Sequence, residues 1–161
     1  MPYAVIDSPI GELTLVASAD GELMGLYMEQ QRHLPALETF GVRDDSVLPE
    51  VAQQLTEYFA GERTTFDVPL KLVGTPFQQE VWTALKNIPY GETTTYGELA
   101  VGLGKSLAAS RAVGLANGKN PISIIVPCHR VVGSTGSLTG YGGGLERKQQ
   151  LLDHERADAL F

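Results

Sequence analysis

Cysteine is nearly missing from this chain: Cys128 is the only one in 161 residues. An internal disulfide is therefore excluded, which fits a reducing compartment, and a cytoplasmic location is the expectation. Long apolar runs are missing too, the longest falling far short of the about 20 residues that a membrane span requires. The N-terminus lacks the positive, then apolar, then small-residue order of a secretory leader, so no signal peptide is expected. Basic residues are in deficit, 12 Lys and Arg against 19 Asp and Glu, for a net charge of −7. Taken whole, that charge argues against a nucleic-acid partner. Its distribution argues otherwise: residues 1–70 carry −9, residues 71–150 carry +4 and residues 151–161 carry −2. Cys128 lies in the mildly basic part, a weak hint of a polyanionic partner.

What is present is the composition of a soluble globular protein, 43% apolar and 19% charged. The length suits one large domain or two small ones that share an interface. Short apolar-rich runs at 3–6, 13–17 and 23–28 are separated by the turn signals Ser8-Pro-Ile-Gly11 and Ala19-Asp20-Gly21. They predict antiparallel strands. Residues 29–46 form an irregular polar connection in which His33 reads as a solvated loop histidine. Apolar residues at 51, 55, 58 and 59 predict a helix over 47–60, with Ser46 as candidate cap and Gly61 as its stop. Residues 65–70 read as one more strand. This α/β unit, residues 1–73, shows no constellation with chemistry in it.

The second part, residues 74–161, opens on Thr75-Pro76-Phe77-Gln78, a capping box with Pro at the first helical position. The spacing predicts a helix to about residue 87, with Trp82 as core. Thr95-Tyr96-Gly97-Glu98 is a second capping box, starting a helix over 96–101. Ser106 is the candidate cap of a helix over 107–116, closed by Asn117-Gly118. Two short helices joined through glycines form a helix-turn-helix pattern. The second of them is built from small residues with one charge, Arg111. Such a helix suits close approach to a neighbouring helix or to a DNA groove, and it lacks the polar side chains that read bases. A glycine-rich loop over 133–144 holds one aromatic, Tyr141, and a last helix over 145–156 packs Leu151 and Leu152. The fold class is α+β.

Between the small-residue helix and that loop lies Asn120-Pro-Ile-Ser-Ile-Ile-Val-Pro-Cys-His-Arg-Val-Val132. The β-branched run 122–126, bounded by Pro121 and Pro127, reads as a buried strand that delivers Cys128 near a surface. Arg130 and His129 beside the thiol favour thiolate. Adjacent residues of an extended chain face opposite ways, so His129 meets Cys128 only through a bend after Pro127 or through a water. An imidazole used as a base also needs an orienting acceptor, for which Glu155 and Asp153 are candidates.

Pro127-Cys128-His129-Arg130-Val131 resembles the active-site signature of the O6-alkylguanine-DNA alkyltransferases, the methylated-DNA–protein-cysteine methyltransferases. Thr95-Tyr96-Gly-Glu-Leu-Ala100, Ser110-Arg-Ala-Val-Gly114, Asn120-Pro121, Gly140-Tyr-Gly-Gly-Gly-Leu145 and His154-Glu155 follow in that family's order and spacing. The resemblance implies a ribonuclease H-like N-terminal domain and a winged-helix-like C-terminal one. It implies single-turnover repair: Cys128 takes the alkyl group from guanine O6, His129 draws the thiol proton through a water, and Glu155 holds the imidazole. Tyr96 would lie over the pocket, hydrogen-bond the base and help the leaving guanine take up a proton, and Asn120 would brace the turn between helix and cysteine. Val131, Tyr141, Gly142 and Gly143 would line the base pocket. Arg111 would enter the minor groove beside Thr95, Ala109 and Ser110, with Lys105 and Lys119 on phosphates. The implied partner is double-stranded DNA carrying alkylated bases, bound without sequence preference. No membrane partner, cofactor or metal is implied, since the thiols that hold a structural zinc in some relatives are missing. Activity on alkylated thymine and cooperative self-association on DNA stay open. Two rivals stay open as well: a cysteine hydrolase built on Cys128, His129 and Glu155, and a non-catalytic helix-turn-helix binder of lesions.

Overall fold

The computed structural model describes residues 1–29, 35, 39–138, 141 and 144–157. His33, Gly140, Gly142 and Gly143 lie outside the described residues. Three strands, β1 (Tyr3–Ile6), β2 (Leu13–Ala17) and β3 (Leu23–Met28), form an antiparallel sheet in that order. Tyr3 pairs with Val16 and Leu13 with Met28, and a bulge falls between Val16 and Ala17. The alternation puts Leu13, Leu15, Leu26 and Met28 into the core. Gly21 takes φ +80° in the turn between β2 and β3, a conformation that suits glycine.

Helix α1 (Pro49–Phe59) covers the sheet with Val51, Leu55, Tyr58 and Phe59. It starts later than the sequence predicts. Its N-cap is Leu48, at φ 54°, and Ser46 bonds Asp44 instead of capping. Gly61 does close the turn after it, with φ +78° and its N–H on the Tyr58 carbonyl. Residues 65–70 are not a strand. Leu70 makes a single bridge to Leu23, flanked by bonds from Leu23 N to Pro69 O and from Lys71 N to Leu23 O.

Helix α2 (Pro76–Leu85) begins with the expected capping box: Thr75 Oγ1 accepts from Gln78 N at 3.1 Å and Gln78 Oε1 from Thr75 N at 3.0 Å. Trp82 is buried and donates to the Ala116 carbonyl at 2.9 Å, a core residue with its polar edge satisfied. The short strand β4 (Thr94–Thr95) leads into α3 (Tyr96–Gly102), where Thr95 Oγ1 accepts from Glu98 N. Glu98 reaches only the Thr95 hydroxyl, so the second box is half made. A 3₁₀ turn at Leu107–Ala109 precedes α4 (Ser110–Gly118), and Ser106 makes no side-chain cap. The turn splits what the sequence predicts as one helix, and Ser110 Oγ donates back to the Leu107 carbonyl. Strand β5 (Val131–Val132) runs parallel to β4, and α5 (Leu145–Ala157) ends the described chain.

The two halves share one apolar core, in which Leu15, Leu26 and Leu55 join Val81, Val113, Ile122 and Leu151. The free edge of β3 takes part in the join: Leu26 donates to the Pro121 carbonyl and accepts from Ser123 N. That edge is thereby covered rather than left open for pairing. No helix among the described residues is long and apolar enough to cross a membrane.

Candidate active site

The run 122–126 is buried but is not a strand. It folds into a tight knot around Asn120, whose Nδ2 donates to the Val126 carbonyl at 2.7 Å and the Ile122 carbonyl at 3.3 Å, while Oδ1 accepts from Ile122 N. Ile124 sits at φ +72°, a conformation that a β-branched residue adopts only under constraint. Buried backbone groups must find partners, and the Asn120 amide supplies them where a sheet would otherwise do so.

Cys128–Arg130 then form one 3₁₀ turn, closed by Arg130 N on the Pro127 carbonyl at 3.0 Å. The backbone therefore does bend after Pro127, and Cys128 and His129 are not held on opposite faces of a strand. The thiol is not near a surface either: Cys128 is 4% exposed. Asn117, at the end of α4, donates to the Cys128 carbonyl, so the helix with Arg111 and the cysteine turn are directly linked.

The side chains behind Cys128 converge on Glu155. Its Oε2 accepts from His129 Nε2 at 2.7 Å, from Tyr58 Oη at 2.7 Å and from Arg130 Nη2 at 3.0 Å. Its Oε1 accepts from Arg130 Nε at 2.8 Å and, at 3.4 Å, from Gly91 N. Arg130 also donates to the Ile88 carbonyl and lies over the Tyr90 ring. Burial alone would raise the Glu155 pKa, but the charges and hydrogen bonds of His129 and Arg130 outweigh it and hold the carboxyl far below the usual range. With Nε2 turned to the carboxylate, a neutral imidazole keeps its proton there and exposes Nδ1 as the basic nitrogen. Nδ1 is buried without a hydrogen-bond partner among the described residues. Burial lowers the His129 pKa, a shift that Glu155 only partly offsets, so the ring is a neutral base at neutral pH.

The thiol is not pre-ionised. Burial pushes the Cys128 pKa up, and a hydrogen bond from Asn120 and the charge of Lys148 counter it only in part. Arg130, expected to favour the thiolate, instead spends its donors on Glu155 and Ile88. The cation that acts on the sulfur is Lys148, fully buried on α5, its own pKa lowered to about 8 by burial despite the neighbouring Cys128. Tyr141 is buried close by, its pKa raised by burial and by the thiolate charge.

Tyr96, the first residue of α3, packs its ring on Gly114 of α4, where an added Cβ would sit 3.6 Å from the Tyr96 ring. Arg111 projects from the exposed face of α4, which also presents Ala112, Leu115 and Lys119, with Ala108 from the preceding turn. Thr95 caps α3, and Ala109 and Ser110 are half-buried where the 3₁₀ turn meets α4. Lys105 lies 3.7 Å from Glu80 and over the Phe77 ring, so part of its charge is already matched. Val131 pairs with Thr94 across β4–β5.

Two family models match the chain. One, described as the 6-O-methylguanine DNA methyltransferase ribonuclease-like domain, covers residues 1–72; the other, the DNA binding domain of the same family, covers residues 76–157. The chain belongs to the 6-O-methylguanine DNA methyltransferase family. A methylated-DNA–protein-cysteine methyltransferase of Mycobacterium tuberculosis is 55% identical over 157 residues, 98% of this chain and 93% of the relative. One of Methanosarcina acetivorans is 49% identical over 155 residues, 96% of this chain and 98% of the relative. The crystal structure of M. tuberculosis OGT in complex with DNA superposes with a TM-score of 0.92 at 53% identity, covering 99% of this chain and 95% of that one.

Within this methyltransferase family frame, three residues of the site escape the sequence reading. Tyr58 comes from the half in which no site is expected, 97 positions from Glu155. Lys148 and Asn117 act on the thiol and on its carbonyl. One signal was available for Lys148: it falls with Leu151, Leu152 and Glu155 on a single helical stripe, so both charges ride the apolar face of α5. Of the two candidate carboxylates, Glu155 is the one at His129, while Asp153 accepts from Gln149.

Proposed function

We propose that this chain repairs alkylated DNA by accepting the alkyl group itself, once, on Cys128. The sulfur attacks the alkyl carbon on guanine O6 in line. The S–C bond forms as the C–O6 bond breaks, the electron pair leaves on the guanine, and the guanine takes up a proton with the help of Tyr96. The thiol proton passes through a water to Nδ1 of His129, and Glu155 stabilises the imidazolium. One observation carries this reading most: a buried, protonated thiol one residue from a neutral imidazole whose far nitrogen is fixed on a carboxylate at 2.7 Å. Such a thiol needs a base at the moment of attack, and the product thioether has no route back to thiol, so each chain reacts once.

A division of labour goes with this reading, supported by the separate family matches over 1–72 and 76–157. Residues 1–73 support, and residues 74–161 bind DNA and carry the transfer. A base inside a duplex is out of reach of a buried sulfur and must be flipped, at a cost of roughly a few kcal/mol. Arg111 on its small-residue helix fills the vacated stack from the minor groove. Thr95, Ala109 and Ser110 lie against the backbone, and Lys119, with Lys105 to a lesser degree, meets phosphates. Tyr96, Val131, Tyr141, Gly142 and Gly143 receive the base, and Asn120 holds the knot behind the sulfur. The partner is duplex DNA of any sequence, and the location is the cytoplasm.

Incubation with excess duplex containing O6-methylguanine tests this. At most one methyl group per chain is expected, found by mass spectrometry on the Cys128 peptide. Cys128→Ser is expected to bind the duplex and transfer nothing. Repeated turnover, or transfer that survives Cys128→Ser, refutes the proposal.

A further inference from the structure

Tyr58 belongs to α1 of the N-terminal half, yet its hydroxyl ends on the same oxygen that His129 uses. Glu155 Oε2 accepts from Tyr58 Oη and from His129 Nε2, each at 2.7 Å. The tyrosine is fully buried, and its ring is wedged against Phe59, Phe66, Tyr90 and His154. Its carbonyl also accepts from His154 Nε2 at 2.7 Å, so α1 holds α5 at two adjacent residues, His154 and Glu155. A donor on a carboxylate oxygen draws charge from it, and a less negative oxygen holds the imidazolium proton less tightly. We propose that Tyr58 is a positioning residue of the transfer reaction: by hydrogen-bonding the oxygen that faces His129, it weakens the hold of Glu155 on the imidazole proton and keeps the ring available as a base. The N-terminal half then tunes the base rather than serving as a support alone.

The other groups facing this pair are accounted for. From the 3₁₀ turn come Cys128 and Arg130; Arg130 bonds both carboxylate oxygens and so cannot distinguish the one at His129. From the segment after α2 comes Tyr90, which meets Arg130 through its ring at 5.8 Å. From α5 come Lys148, whose charge disfavours the imidazolium, and His154, which is turned to the Tyr58 carbonyl. The charge of Glu155 reaches Tyr141 too, as the least of the causes that raise the pKa of that hydroxyl. Among these, Tyr58 and His129 alone share a single acceptor atom without a second bond to the other oxygen.

The inference rests on the proposed alkyl transfer and is tested apart from it. Single-turnover transfer from O6-methylguanine duplex, at saturating DNA, is followed against pH for the full chain, Tyr58→Phe and Leu55→Ala. Leu55 is buried on the same helix and offers no polar group, so its truncation loosens α1 without touching the carboxylate. Loss of the hydroxyl is expected to move the acid limb of the profile up by about half a pH unit, a roughly three-fold slower transfer at acid pH. Leu55→Ala is expected to leave the limb in place. If Tyr58→Phe does not fold, 3-fluorotyrosine at position 58, a stronger donor, is expected to move the limb down. A limb unmoved by either replacement, or moved equally by Leu55→Ala, overturns the inference. Absence of transfer in the unmodified chain would instead sink the proposed function itself.

Discussion

Replacing Glu155 by glutamine keeps the shape of the side chain and removes the charge on which three side chains converge. The carboxylate accepts two bonds from Arg130, at 2.8 and 3.0 Å, and one each from His129 and Tyr58 at 2.7 Å. A glutamine amide has one oxygen where the carboxylate has two, so its nitrogen must face a donor. Arg130 is then a buried cation without a counter-charge, and stranding one member of a buried pair costs about 3–5 kcal/mol. Against a total stability of roughly 5–15 kcal/mol this is a large fraction. At about 2–4 °C per kcal/mol for a chain of this size, the melting temperature should fall by about 10 °C. Thermal unfolding followed by circular dichroism measures it. The pH dependence carries a further signature. The folded-state pKa of Glu155 is depressed, so its contribution is complete above the ordinary carboxylate range and is lost as pH falls through the folded value. The gap between the two proteins should therefore be widest near pH 7 and narrow toward pH 3. Adding Arg130→Met to Glu155→Gln should restore part of the loss, because the stranded charge is then gone. A melting temperature within 2 °C of the parent, or a double variant weaker by the sum of the two single losses, would refute the reasoning.

Three more outcomes are open to measurement. Arg111→Ala should slow repair in duplex DNA far more than reaction with a free-base analogue, because the exposed side chain acts only on stacked DNA; equal losses in both assays would contradict that role. The methylated protein should melt below the unreacted one, since an added methyl on Cys128, a residue only 4% exposed, overpacks the site by about 1–3 kcal/mol. Gly74→Ala should also destabilise by about 1–3 kcal/mol, because the new Cβ would lie 2.5 Å from the Trp82 ring, which its bond to Ala116 holds in place.

Local signals carried most of the fold. The three strands fall where period-two alternation and the Asp20-Gly21 turn place them, and α2 starts on its capping box. The failures have physical causes. The run 122–126 has the composition of a strand, but Asn120 satisfies its backbone and turns it into a knot, which composition does not reveal. Ser46 has the residue type of a cap, but its hydroxyl donates to Asp44 two positions back, and the helix begins at Leu48 without a side-chain cap. At the site, Cys128, His129 and Glu155 were legible because family motifs mark them, and their mutual geometry was not. Arg130 stands beside the thiol in sequence and points to the carboxylate in space. Tyr58 lies too far along the chain for spacing to connect it, although a buried tyrosine hydroxyl as a rule finds a partner.

The burial of Cys128 has a consequence for how long an unused molecule keeps. A protein that works once must remain fit until its lesion arrives, and peroxide and electrophiles consume thiolates far faster than thiols. A sulfur enclosed and held as thiol is in a storage form until a base takes its proton. The same enclosure that makes the reaction need a base thus sets the shelf life of the reagent.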